Sequence, residues 1–144
     1  ADQEPYRLRV LARVLEQHGG HDEMVGDLLE KSARLRVERV LSGNATANEI
    51  AVTAVERAKA GDLAAAAKLY RGALGKDYAN TAWRLALIDV LTRAESFEQA
   101  QAETKTLLRL RPGLPAAVRR LEELSLLVEP ESTVERAADS FRSN

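Results

Sequence analysis

Cysteine is absent from the 144 residues, so disulfides, thiolate metal sites and a cysteine nucleophile are excluded. Aromatic residues make up only 4%, too few for the stacking platforms that hold single-stranded nucleic acid. There is no block of like charge. Lysine and arginine number 21 against 22 acids, the net charge is −1, and both signs are mixed along the chain. That pattern offers no electrostatic footprint for a nucleic acid. The apolar runs fall far short of the ~18–20 residues that a membrane-spanning helix needs, so this segment is not expected to enter a bilayer. The 8 glycines are scattered, with no glycine-rich run to cradle a phosphate. No cofactor is expected.

What remains is an ordinary globular composition, 45% apolar and 30% charged. The length suits one domain, able to bury roughly 68–70% of the surface its unfolded chain exposes. The pattern is helical throughout, without sustained alternation. Pro5 fits the first turn of a helix running to about His18, with Leu8, Leu11 and Leu15 on one stripe. Gly19-Gly20 ends it. Asp22 is placed to cap a second helix to about Leu41, striped by Val25, Leu29, Ala33, Val37 and Val40. Thr46-Ala47-Asn48-Glu49 reads as a capping box, in which hydroxyl and carboxylate each accept a bond from a free N–H at the helix start. It opens a third helix, about 47–59. Gly61-Asp62 turns into a fourth, about 63–75.

Asn80 caps a fifth helix, about 81–94, and Ser96-Phe97-Glu98-Gln99 is a second capping box opening a sixth that ends before Pro112. Pro115 begins a seventh, to about Val128. Glu129-Pro130 is expected to stop it, and Ser132 to Glu135 to cap a short tail helix covering the apolar run Leu124 to Val128.

Residues 34 apart correspond. Leu63 maps to Phe97, Ala66 to Ala100, Leu74 to Leu108 and Tyr78 to Pro112. Small residues let paired helices approach, and Tyr70, Trp83 and Phe97 fill the flanks. Helix, short turn, helix at a period of 34 resembles the tetratricopeptide repeat family. Gly61-Asp62-Leu63, Ala66, Tyr70 and Ala73-Leu74 carry the resemblance in one unit; Trp83, Leu87, Phe97, Ala100, Leu107-Leu108 and Pro112 carry it in the next. Three departures stand out: Glu95 replaces the turn glycine, Thr104 stands where Tyr70 stands, and Trp83 comes one residue early.

The resemblance implies an all-α, right-handed superhelical stack of antiparallel helix hairpins, a solenoid. Its expected parts are an N-terminal hairpin (4–42), one repeat unit (47–79), a second (80–114) and C-terminal capping helices (115–144). A solenoid needs about three stacked units for a continuous core, so the terminal elements are expected to stack at either end.

Candidate chemistry is thin. His18 and His21 flank a loose Gly-Gly turn, whereas a metal needs three or four convergent ligands; a helix end is the simpler reading, and no metal site is expected. Asn44-Ala45-Thr46 matches a glycosylation sequon, but both polar residues already serve the turn and cap. Serines lack a partnered histidine, and carboxylates alternate with arginines at helical spacing, as in Glu30/Arg34. With no catalytic constellation, an enzyme is not expected.

In the resembled family the first helix of each unit lines the concave surface. That implies a groove of Asn48, Val52, Val55 and Lys59, then Leu85, Asp89 and Arg93, then Arg119 and Glu123. On the fifth helix Trp83, Ala86, Leu87, Val90, Leu91 and Ala94 form the expected core stripe, with Leu85, Ile88 and Thr92 roughly opposite. Leu85 and Ile88 either pack on the preceding unit or face a ligand. The mixed charges argue against a clamp for a peptide's terminal carboxylate.

The expected function is a non-enzymatic scaffold or adaptor holding a peptide or helix of a protein partner in that groove. A rival is a soluble domain of a larger bacterial membrane, secretion or polysaccharide-assembly protein, cytoplasmic or periplasmic. The start at Ala1 and the cysteine-free composition are compatible with it. Self-association through an uncapped end, Leu124 to Val128, is a third class.

Overall fold

Helix ends are set by short-range chemistry. In the computed structural model, which describes the backbone of residues 4–142 and the side chains of residues 4–128, the Thr46 hydroxyl accepts from the Glu49 N–H at 3.2 Å. The Thr46 N–H in turn donates to the Glu49 carboxylate at 3.5 Å, so the box is complete. Asp62 accepts from the Ala65 N–H at 3.2 Å and Asn80 from the Trp83 N–H at 3.1 Å. Each satisfies a backbone donor that a helix start leaves free.

The helices are α1 (Glu4–His18), α2 (Asp22–Leu41), α3 (Ala47–Lys59), α4 (Leu63–Lys76), α5 (Thr81–Arg93), α6 (Phe97–Leu110) and α7 (Pro115–Arg142). There is no strand among the described residues. No described helix is long and apolar enough to cross a membrane. Successive helices pack on one another, pairing α1 with α2, α3 with α4 and α5 with α6, and the hairpins stack through α4 against α5 and α6 against α7. The result is an all-α stack of antiparallel helix hairpins.

The core runs through the stack. Ala54, Ala66 and Ala100 have no exposed surface, which lets helix backbones approach closely. Tyr70, Leu74, Leu87, Ile88, Leu107 and Leu124 fill the spaces beside them in one cluster. Thr104, in Tyr70's place one repeat on, is also fully buried, and its hydroxyl donates to the Ala100 carbonyl at 2.7 Å.

Several expectations are corrected. Asp22 does not cap α2: His21 holds that position without a side-chain bond, and Asp22 is the first helical residue. There its charge still favours the helix N-terminus. Ser96 makes no cap bond, so the second capping box is absent. Glu95, beside it, takes the left-handed conformation (φ 59°) that Gly61 takes in the preceding turn (φ 84°).

Pro130 does not end α7, which continues to Arg142. A proline removes one N–H and one helical bond, and the residues on either side carry the helix past that gap. The capping helices expected over 115–144 are therefore one helix, and no tail folds back over Leu124 to Val128. Leu124 is buried instead by the core that includes Leu107, while Leu126 stays 75% exposed. The Ser132–Glu135 capping pattern lies inside α7, beyond the described side chains.

On α5 the buried face is Arg84, Leu87, Ile88, Val90 and Leu91. Trp83 and Ala86 are only half-buried, Ala94 is exposed, and Ile88, expected opposite the core, is 1% exposed. The face is rotated toward Arg84, which is buried while bonding to the Glu103 carboxylate and the Tyr78 carbonyl. In the N-terminal hairpin Leu11 and Leu29 are exposed, and Pro5, Ala12, Val25, Ser32 and Arg36 are buried.

Candidate functional site

The nine groove candidates sit on α3, α5 and α7. On α3, Asn48, Val52, Val55 and Lys59 fall within an arc of roughly 60° at ~3.6 residues per turn. All four keep accessible surface, whereas Ala51, Ala54 and Ala58 on the adjoining arc are buried. On α5, Leu85 is half-buried while Asp89 and Arg93 are exposed; on α7, Arg119 and Glu123 are exposed. Lys59, Arg93 and Arg119 make no ion pair among the described residues.

The structure draws some of these residues together through partners that sequence reading missed. Arg120 on α7 reaches Asp89 on α5 at 3.8 Å and Glu123 at 3.3 Å. One arginine thereby bridges two candidate acids on different helices. Asp89 also acts on Tyr70 of α4: burial pushes the Tyr70 phenol above its ordinary value of 10.0, and the nearby Asp89 charge adds to the rise. Both favour the neutral phenol. Arg120 was legible only as one of two adjacent arginines; nothing in the spacing singled it out.

A second gathering joins Asn48 and Val52 to α1. Both line a cleft of about 330 Å³ that also takes in Pro5, Tyr6, Arg9, Arg36, Thr46 and Glu49. Buried polar bonds from α2 hold its floor. The Ser32 hydroxyl donates to the Pro5 carbonyl at 2.8 Å, and Arg36 Nη1 donates to Ser32 Oγ at 2.9 Å. Arg36 Nη2 donates to the Glu56 carboxylate. Arg39 Nε donates to Glu49 at 2.5 Å, so one carboxylate serves both the α3 cap and the α2 arginine. Arg36 Nε is buried without a partner. Nothing brings Leu85, Arg93 or Arg119 into this cleft.

The arrangement suits binding by surface contact: half-buried apolar side chains in the middle, charges of both signs around them. His18 and His21 do not converge; His18 Nδ1 lies 2.8 Å from the Val14 carbonyl at the end of α1. No described group of three or more histidines and carboxylates is placed to hold a metal.

Comparison with known proteins agrees with the helical geometry. Residues 57–124 match the tetratricopeptide repeat family. No curated protein matches the sequence. Among solved structures, the second tetratricopeptide domain of the human RPAP3 protein, determined by NMR in complex with the HSP70 peptide SGPTIEEVD, is similar in fold. It shares 18% identity at a TM-score of 0.57, over 84% of this chain and 98% of that one. The chain thus has an all-α helical-repeat fold, and its residues 57–124 match the tetratricopeptide repeat family.

Proposed function

We propose that this protein is a non-enzymatic adaptor that holds a peptide or helix of a partner protein against the faces of α3, α5 and α7. The observation that carries the reading is the sorting of α3. Its alanine arc is buried, and the arc of Asn48, Val52, Val55 and Lys59 is left accessible. A stack that only needed a core would not require apolar Val52 and Val55 on that side. The RPAP3 domain, similar in fold, was solved with a peptide, which supports a peptide or protein as partner here.

Recognition would rest on a few anchors rather than on total area. Leu85 and Val55 supply apolar contact, and Lys59, Arg93 and Arg119 supply cations that pair with no described residue. Asp89 and Glu123, held by Arg120, set the orientation. A pull-down from native lysate tests this. Leu85→Glu or Arg93→Glu should lose a protein that the wild type captures, with helicity unchanged. Capture that survives both changes would move the site elsewhere.

A second reading, self-association through the apolar run Leu124 to Val128 midway along α7, draws on Leu126 and Leu127, which are 75% and 51% exposed. Light scattering over a concentration series separates the two, since a strict monomer at high concentration removes the second.

A further inference from the structure

The other side of α3 carries a different surface. Ile50, Thr53 and Arg57 fall within an arc of roughly 60°, centred about 160° from the groove candidates at ~3.6 residues per turn. They form the base of a cleft of about 470 Å³ between α2 and α4. Its walls are mostly apolar: Val37, Val40 and Leu41 from α2, Leu69 and Gly72 from α4. Leu41 is 81% exposed. No carboxylate lines the cleft, while Arg57 and Lys68 do, and neither makes an ion pair among the described residues.

We infer that this cleft is a second docking surface, taking an amphipathic helix of a partner protein that carries carboxylates along one flank. It goes beyond the groove reading and uses none of its residues. The spacing of the walls indicates a helix. On α4 the cleft residues Ala65, Lys68, Leu69 and Gly72 follow i, i+3, i+4, i+7; on α2 Val37, Val40 and Leu41 follow i, i+3, i+4. These are the stripes a helix presents to another helix. Ala65 and Gly72 are small, which allows the close approach that ridge-in-groove packing needs. These two cations, Arg57 and Lys68, select for acid on the incoming flank.

Gly72 provides a clean test. It is helical without a positive φ, and an added Cβ would meet only Ile50 Cγ2, at an ordinary 3.8 Å. Gly72→Leu therefore fills the cleft while leaving the fold intact, and should melt at or above the wild-type temperature. The probes are two stapled model helices with the same leucine face, one flanked by glutamates and one by lysines. By fluorescence anisotropy the acidic helix should bind the wild type at least about tenfold more tightly than the basic one. Gly72→Leu should lose that binding, as should Arg57→Glu with Lys68→Glu, while Val55→Glu on the opposite side should retain it. Equal binding of the two helices, or acidic binding that survives Gly72→Leu, would overturn the inference. So would a concentration-dependent dimer dissolved by Gly72→Leu, which would make the occupant a second copy. Dodecanoate binding abolished by Gly72→Leu with no helix bound would likewise overturn it in favour of a lipid.

Discussion

The Arg84 guanidinium on α5 lies 2.8 Å from the Glu103 carboxylate on α6, and stacks 4.6 Å from the ring centre of Tyr78. Its second nitrogen donates to the Tyr78 carbonyl at 2.7 Å. A single buried cation thereby ties the loop before the third hairpin to both helices of that hairpin, with Nε alone left unpartnered.

Losing one member of that pair strands a charge. Glu103→Ala should cost about 2–3 kcal/mol, below the figure for a wholly buried pair because Glu103 stays partly wet. Replacing both residues by leucine should cost less than Glu103→Ala alone, since no buried charge remains. Urea unfolding of the two variants beside the wild type checks the order.

The two turns predict opposite responses. Glu95→Gly should stabilise the protein by about 1 kcal/mol, because it relieves a side chain held at positive φ. Gly61→Ala, at a similar backbone angle, should destabilise by about the same amount. The measure is the urea midpoint at unchanged slope.

The caps separate in the same way. Thr46→Ala should cost about 1 kcal/mol by breaking the box that starts α3. Ser96→Ala should be near neutral, because Ser96 makes no cap bond. Thermal melts of the pair give the comparison.

The Tyr70 phenol titrates above its ordinary range. In the unfolded chain it ionises near its ordinary value of 10.0, so below that pH its contribution to stability is complete. The contribution falls as pH rises from there through the folded value, since the unfolded state sheds its proton first. Phenolate absorbance, with Tyr70→Phe to identify its component, should show Tyr70 titrating above its ordinary range. Asp89→Asn should draw the Tyr70 titration downward.

Much of the architecture was readable because its causes are local. The Thr46, Asn80 and Gly61-Asp62 signals each act within three or four residues, and the 34-residue correspondence of Ala66 with Ala100 follows from helix contact. The misses have tertiary causes. Arg84 reads as surface until Glu103 and Tyr78 are brought to it, and its burial rotates α5 so that Ile88 enters the core and Trp83 does not. Ser32 and Arg36 likewise interrupt an apolar stripe that was expected to pass through Leu29. Pro130 was read as a stop on a local rule that the helix overrides. The accessible arc of α3 was legible from the repeat; Arg120, which joins Asp89 to α7, depended on how the hairpins stack.

The most direct measurement of the account is quantitative capture of a lysate protein by the wild type, Leu85→Glu, Arg93→Glu and the distant Ser96→Ala, with each variant's helicity recorded alongside. The account predicts that one captured protein disappears with both groove changes and persists with Ser96→Ala. Equal capture by all four would contradict the assignment of partner binding to the accessible faces of α3, α5 and α7.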